Sequence, residues 1–281
     1  SIEHKMGIHG NATCVINFDG AKGFLLGQEN KGLANMFTFI NESRVDVCLQ
    51  AQGQIERSFQ AALAYSQERL QMKASPRLTA DKPADPIIAH PEIRRLLLTQ
   101  QAFSQGSRLM ALDLAKLVDG IHRNDAAAQN KLGFLAPIAK GFITEAAMEA
   151  TSHGIQIFGG HGFIKEYGVE QYYRDVRITA IYEGTTAIQG IDLITQAIPT
   201  LISQNNANFM LMGSGSPYYE RVIQELHDRY PTRVFCYLGY SEETAHLVEA
   251  GSDVFLMPSR FEPCGLNQMY SLHYGTLPVV N

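Results

Sequence analysis

The residues best suited to chemistry stand in the segment Ala180-Ile-Tyr-Glu-Gly-Thr-Thr186. It carries one carboxylate, Glu183, set among apolar neighbours and followed directly by Gly184. A general base that takes a proton from carbon gains from such a dry setting, because desolvation raises the proton affinity of a carboxylate. Gly184 would let a substrate or a ring approach the backbone closely. The alternative is that Glu183 is a solvated carboxylate at the start of a helix, with Thr185 in its first turn.

A glycine-rich segment, Gln156-Ile-Phe-Gly-Gly-His-Gly162, lies upstream of this carboxylate. Closely spaced glycines leave backbone N–H groups accessible, so the segment could receive a phosphate or a flat ring. A tight turn between two elements is the alternative interpretation.

Bulk composition excludes several classes of function. The chain has 281 residues, 45% hydrophobic content and a formal net charge of -5, which gives no electrostatic reason to expect nucleic acid or an anionic membrane as partner. No apolar run approaches the roughly 20 residues of a membrane span, and no signal peptide is visible. The low charged fraction of 18% favours a homo-oligomer.

The cysteines favour a protein with reduced thiols. Four are present, without a CxxC motif and without a histidine at metal-ligand spacing: Cys14, Cys48, Cys236 and Cys264. This pattern predicts neither a disulfide framework nor a metal site, and it is typical of a cytoplasmic protein.

The first part of the chain is predicted to be the end of a β domain followed by a helical bundle. Short apolar runs at Thr13–Phe18 and Gly23–Gly27 predict two strands within residues 1–40. Apolar residues then recur at steps of three and four, which predicts long amphipathic helices packed as an antiparallel four-helix bundle. The predicted helices run from about Asn35 to Gln71, from Pro91, from about Asp125 to Ser152, and after Gly184.

Beyond Thr200 the pattern changes to short apolar strands that alternate with helices, which is typical of a partial parallel α/β (Rossmann-like) unit. The predicted strands are at 209–212, 234–238, 253–257 and 277–280. We therefore expect a mixed fold with three parts: the end of a β domain over 1–40, a helical bundle over 41–192, and the α/β unit over 193–281.

The first part resembles the acyl-CoA dehydrogenases, in particular the long-insert branch that includes 3-methylmercaptopropionyl-CoA dehydrogenase. The matching segments occur in the family's order over residues 1 to about 192: Lys5–Cys14, Asn30–Ala34, Glu68–Gln71, Pro86–Pro91, Gln156–Gly162, Tyr173–Arg177 and Tyr182–Thr185. The resemblance implies the end of that family's β domain and its C-terminal four-helix bundle.

The resemblance also implies roles for single residues. Glu183 would remove the α proton of an acyl-CoA thioester while the β hydrogen leaves as hydride to FAD. Contacts to FAD would come from Arg69, Gln156, Gly159, Gly160 and Thr185, and substrate contacts from Arg44 and Gly184. An electron-transfer acceptor protein is the implied partner. Taken alone, Arg44 is typical of a solvated charge on a helix, and Arg174, Asp175 and Arg177 of an ion-pair network.

Residues from about 190 to 281 resemble bacterial glycogen and starch synthases, which use ADP-glucose. The most specific segment is Pro258–Gln268, and Leu238–Tyr240 and Tyr274–Thr276 also match. The resemblance implies that Glu262 is the acidic residue at the sugar and that Tyr240 lies by the adenine. It also implies that the diphosphate is bound by backbone N–H groups at a helix start, from Cys264, Gly265 and Leu266.

The two resemblances meet at Gly190–Ile194, which matches both families, and no Pro/Gly/Ser-rich spacer separates the parts. This favours a chimeric chain. Three hypotheses follow: an FAD-dependent acyl-CoA dehydrogenase-like flavoprotein, which the longer matching part favours; an ADP-glucose-dependent glycogen synthase fragment; and a truncated chimera without catalysis.

Overall fold

The computed structural model describes residues 1–215, 217–257 and 266–280. It divides into two compact units, Ser1–Leu193 and Ile194–Asn281. The fold is mostly helical with small parallel β pairs.

The first unit is built on long helices that begin and end where the sequence has its signals. Pro91 occupies the first turn of the second helix, where its missing N–H costs no hydrogen bond. The Asp125 carboxylate caps the third helix by accepting from the N–H groups of Ala127 and Ala128. The long helices predicted from the apolar spacing are thus confirmed. The α-helices that begin in this unit are α1 (Gly32–Glu68), α2 (Pro91–His122), α3 (Ala126–Phe158), α4 (Val169–Val176) and α5 (Thr186–Asn205).

The core of this unit lies between α1, α2 and α3. One cluster joins Ile55 of α1, Leu114 of α2 and Leu132 and Ile143 of α3, all nearly or fully buried. A second cluster lies nearer to the end of α3 and contains Phe158. Many core positions of α3 are alanine, which lets neighbouring helices approach closely.

The two strands predicted within residues 1–40 are not formed. The segment's β pairing, among the described residues, is one isolated antiparallel bridge between Ile2 and Cys14. Phe18 and Phe24 expose 81% and 93% of their surface, so the apolar pattern covers no core in this chain. A strand persists only when a neighbouring strand and a packed face support it, and the described residues supply neither to this segment.

The start of the chain is instead held by the end of α4. The Ile8 N–H donates to the Asp175 carboxylate at 2.7 Å, and the Arg174 guanidinium donates to the Met6 carbonyl at 2.8 Å. Arg174 also pairs with Glu170 at 2.6 Å. Of the three residues predicted to form an ion-pair network, Arg174 is in an ion pair, and its partner is Glu170.

The second unit alternates strands and helices as predicted. Strand β1 runs parallel to β2, and β3 runs parallel to β4. The single sheet expected from the pattern is not seen, because no described backbone hydrogen bond joins one pair to the other. The elements are β1 (Phe209–Gly213), α6 (Pro217–Arg229), β2 (Val234–Leu238), α7 (Glu242–Gly251), β3 (Val254–Met257), α8 (Leu266–Tyr274) and β4 (Leu277–Val280).

Within the described ranges, no helix has the length and apolar content that a membrane crossing requires. The same residues contain no cluster of three or more His, Cys, Asp or Glu side chains suited to a metal ion.

Candidate functional site

A cavity of about 390 Å³ lies where the end of α1 meets the end of α3. Its lining includes Arg69, Gln156, Gly159 and Gly160, four of the five residues for which the sequence predicted cofactor contacts. Arg69 directly follows the last residue of α1. Its backbone is fixed on both sides, because its N–H donates to the Tyr65 carbonyl and its carbonyl accepts from the Ile87 N–H. The fold therefore brings a guanidinium, an amide and two glycines to one cavity, although they are distant in sequence.

The glycines at the end of α3 are favoured at their positions for different physical reasons. Gly159 has a φ of 59° and a ψ of -135°, a positive-φ conformation that favours glycine, and it ends α3. A Cβ on Gly159 or Gly160 would meet no atom within 4 Å, so both face open space. A Cβ on Gly162 would lie 2.3 Å from the Ile155 carbonyl oxygen, so that glycine is needed for packing.

Aromatic rings support the glycine turn from one side. The Tyr65 ring stacks on Phe158 with centroids 4.1 Å apart, and the Tyr65 hydroxyl lies 2.8 Å from Nδ1 of His161. The His161 ring in turn stacks on Tyr167 at 4.4 Å. The sequence-based prediction missed Tyr65 and His161. Tyr65 stands four residues before Arg69, a spacing that places both on one face at the end of α1.

Glu183 and Gly184 form a strained turn immediately before α5. Both are left-handed, with φ of 53° and 91°. The side-chain amide of Gln189 donates to the Glu183 carbonyl at 2.9 Å and to the Gly184 carbonyl at 3.0 Å. Nζ of Lys140, on α3, donates to the Gly184 carbonyl at 2.5 Å. Buried side chains thus hold the backbone on which the candidate base is carried.

Glu183 is half-buried, which is less enclosed than the sequence-based hypothesis requires. Its neighbour Ile181 exposes 45% of its surface, and the lining of the 390 Å³ cavity does not include Glu183. The apolar sequence around Glu183 therefore does not enclose it within this chain. The turn is covered on the bundle side, where Lys140 and Gln189 lie.

Two buried cations lie on the bundle side of the turn. Arg44 exposes only 1% of its surface, so its interpretation as a solvated helix charge is wrong; its Nη1 donates to Asn41 at 3.1 Å. Lys140 is fully buried, and desolvation lowers the pKa of its ammonium to about 8. The Glu183 and Glu145 carboxylates oppose this shift, whereas the Arg44 guanidinium adds to it. Burial raises the pKa of the Cys48 thiol to about 12, so Cys48 is a neutral core thiol.

The residues that flank the turn anchor it to the bundle. The Tyr182 hydroxyl donates to the Gln50 side chain of α1, and desolvation raises the pKa of Tyr182. The Thr186 hydroxyl donates to the Glu145 carboxylate of α3 at 2.8 Å. Thr185, the fifth predicted cofactor contact, is exposed and precedes the first residue of α5.

In the second unit, Tyr240 is the predicted nucleotide-sugar contact whose side chain the structure describes. The Gly239 N–H donates to the Gly213 carbonyl at 2.9 Å, so the carboxyl ends of β1 and β2 lie side by side. Tyr240 follows directly and exposes 80% of its surface. Glu262, Cys264 and Gly265 lie outside the described residues, and Leu266 begins α8 with its side chain outside them.

Comparison with known proteins separates the chain into two similarities. Residues 30–198 match the family model of the acyl-CoA dehydrogenase C-terminal domain, and residues 161–281 match that of group 1 glycosyl transferases. A glycogen synthase from Hydrogenovibrio crunogenus is 56% identical over 93 residues, which is 33% of this chain and 19% of that protein. Segments of two families therefore occur on one chain.

The dehydrogenase similarity is the longer one. A 3-methylmercaptopropionyl-CoA dehydrogenase from Ruegeria pomeroyi is 45% identical over 204 residues, which is 70% of this chain and 34% of that protein. The solved butyryl-CoA dehydrogenase of Megasphaera elsdenii superposes with a TM-score of 0.58 at 29% identity, over 69% of this chain and 46% of that one. The chain thus spans about a third of the length of this curated dehydrogenase relative (34%). On the match over residues 30–198, it belongs to the acyl-CoA dehydrogenase family.

Proposed function

We propose that this chain takes part in FAD-dependent dehydrogenation of an acyl-CoA thioester. The observation that carries the proposal is the cavity that collects Arg69, Gln156, Gly159 and Gly160 at the end of α3. A guanidinium binds a pyrophosphate bidentately, and exposed glycine backbone can approach phosphate oxygens closely. The open space over Gly159 and Gly160 fits such a group.

In the proposed mechanism, the α C–H bond of the thioester breaks and its proton passes to the Glu183 carboxylate. The β hydrogen leaves with its electron pair, and a Cα=Cβ double bond forms. FAD, when bound, supplies the acceptor for that hydride. Glu183 is half-buried, so a substrate can reach it, and Gln189 and Lys140 hold the Glu183 and Gly184 carbonyls of the turn that carries it. Gly184 leaves the backbone beside the base open to close approach.

The remaining predictions concern partners. An acyl-CoA substrate and an electron-transfer acceptor protein are proposed on the family's account, a homo-oligomeric state on the low charged fraction, and a cytoplasmic location on the cysteine pattern. The relative from Ruegeria pomeroyi carries a methylmercaptopropionyl-CoA substrate in its name. We propose a short acyl-CoA of that kind as the first substrate to test.

Titration of the purified chain with FAD, followed by flavin fluorescence, tests the cofactor proposal. Arg69→Leu should weaken binding by about tenfold or more, because it removes a charge-assisted pair with phosphate. Arg57→Leu is the matched control, since Arg57 is an exposed arginine on the same helix. Equal affinity for both variants, or no FAD binding by the unaltered chain, contradicts the proposal.

A second candidate function is transfer of glucose from ADP-glucose by the second unit, with Glu262 at the sugar. The side-by-side ends of β1 and β2 favour it, because open α/β sheets bind ligands outside the carboxyl ends of their strands.

Calorimetry with ADP distinguishes the two sites. Binding lost in Tyr240→Ala and Gly265→Ala supports the second unit, and binding lost only in Arg69→Leu supports the cavity. If the unaltered chain binds neither FAD nor ADP, the third hypothesis, a chain without catalysis, is supported.

A further inference from the structure

The Glu183–Gly184 turn has a conformation that needs external support. A non-glycine residue in the left-handed region costs energy, and two successive left-handed residues persist only where their surroundings hold them. Gly184 has no room for a side chain either, since a Cβ would lie 2.7 Å from Nε2 of Gln189. The turn is therefore maintained by the groups that contact its carbonyls.

Those groups are two buried side chains from different helices. Lys140 of α3 and Gln189 of α5 expose 0% and 2% of their surface. Both donate to the Gly184 carbonyl, and Gln189 also donates to the Glu183 carbonyl. The two carbonyls of the turn are thus taken up by side-chain donors rather than by a regular helix or strand.

A fully buried ammonium is costly, so its presence at position 140 calls for a reason. The charged and titratable groups that act on it are Arg44 and Cys48 from α1, Glu145 from its own helix and Glu183 from the turn. A methionine of similar length would fill the same space without a charge. What methionine lacks is the donor to the Gly184 carbonyl and the positive charge near Glu183.

We propose that Lys140 is a positioning residue that, with Gln189, fixes the turn and thereby sets where the Glu183 carboxylate stands. The catalytic meaning of this inference rests on the proposed function. Lys140 acts through Glu183 and its backbone and does not itself take the substrate proton.

Amide hydrogen exchange over residues 183–189 tests the inference without any cofactor. Lys140→Met should raise exchange there by about tenfold, because a charge-assisted bond that restrains the turn is lost. Lys140→Arg, which keeps a charged donor, should restore at least part of the protection. Lys131→Met is the matched control, since Lys131 is exposed on the same helix, and it should leave the turn unchanged.

The urea midpoint of each variant separates positioning from general stability. The inference predicts that Lys140→Met keeps a midpoint close to that of the unaltered chain, since a buried charge is replaced by an apolar side chain. Unchanged exchange over 183–189, or equally raised exchange throughout α1 to α3, overturns it. If Lys140→Met does not fold, Gln189→Met tests the same turn, with the same two outcomes.

A second readout distinguishes failure of this inference from failure of the proposed function. With a short acyl-CoA in D2O, α-hydrogen exchange should fall in Lys140→Met while acyl-CoA affinity stays the same. If the unaltered chain exchanges no α hydrogen, the proposed function fails, and amide exchange still decides the role of Lys140. If α-hydrogen exchange is the same in Lys140→Met, positioning of the base is overturned.

Discussion

The hydroxyl of Tyr65 lies 2.8 Å from Nδ1 of His161, and this contact joins the end of α1 to the glycine turn that follows α3. Tyr65 and His161 line the same cavity as Arg69 and Gln156. The contact therefore fixes the position of the turn relative to the arginine. In the proposed function, this one hydrogen bond holds together the arginine and the glycine turn that would bind the diphosphate of FAD.

Tyr65→Phe should weaken both the fold and the cavity. It keeps the ring that stacks on Phe158 and removes the hydroxyl, so the free energy of unfolding should fall by about 1 kcal/mol. FAD affinity should fall by severalfold, measured by flavin fluorescence. Tyr167→Phe is the matched control because its ring also stacks at this turn. Unchanged stability and FAD affinity in Tyr65→Phe would show that the Tyr65–His161 bond positions nothing.

Gly184→Ala should destabilise the first unit by about 1–3 kcal/mol, because alanine is strained at a φ of 91° and its Cβ would displace Gln189. Urea denaturation measures the change. Gly190→Ala provides a control with the opposite expected effect. Gly190 lies within α5, and an added Cβ would have no atom within 4 Å. This substitution should therefore raise the free energy of unfolding by about 0.5–1 kcal/mol. Equal effects of the two variants would contradict the described turn.

The loop between α1 and α2 depends on the buried carboxylate of Asp85. Burial alone would raise its pKa, but hydrogen bonds from the N–H groups of Thr79 and Ala74, the Thr79 hydroxyl and Arg77 hold it well below the usual range. A carboxylate with a depressed pKa contributes stability that is complete above its unfolded value of about 3.9 and is lost as pH falls through the folded value.

Asp85→Asn should therefore let trypsin cut the loop faster at neutral pH, after Lys73 and Arg77, because asparagine accepts these hydrogen bonds less strongly than a carboxylate does. Asp81→Asn, an exposed aspartate of the same loop, should cleave at the original rate. Below about pH 4 the unaltered chain should begin to lose the same loop protection, measured by amide exchange. Equal cleavage of the two variants would argue against Asp85 as the centre of the loop.

The helices could be predicted because their signals are local. Apolar spacing, Pro91 at a first turn and Asp125 at a cap mark the boundaries of α2 and α3. The strands of residues 1–40 could not, because strand formation depends on a partner that the sequence pattern does not specify. The apolar runs there are exposed although they have the composition of strands.

The candidate site could be predicted only in part, because its residues are brought together by packing between segments and not by local sequence signals. Arg69 and Gln156 were identified through a family resemblance, and the fold brings them to one cavity. Lys140 and Gln189 were missed, since a lysine within an apolar helix carries no local sign that it reaches a carbonyl of another segment. The burial of Arg44 likewise follows from packing between helices rather than from its own neighbours.

The most direct test of the central claim is α-hydrogen exchange of a short acyl-CoA in D2O, compared between the unaltered chain with FAD and Glu183→Gln. Glutamine keeps the shape of the side chain and cannot take the proton. If Glu183 is the base, exchange should fall by about 10²–10⁴-fold while acyl-CoA affinity is retained. Exchange at the original rate in Glu183→Gln would contradict the claim.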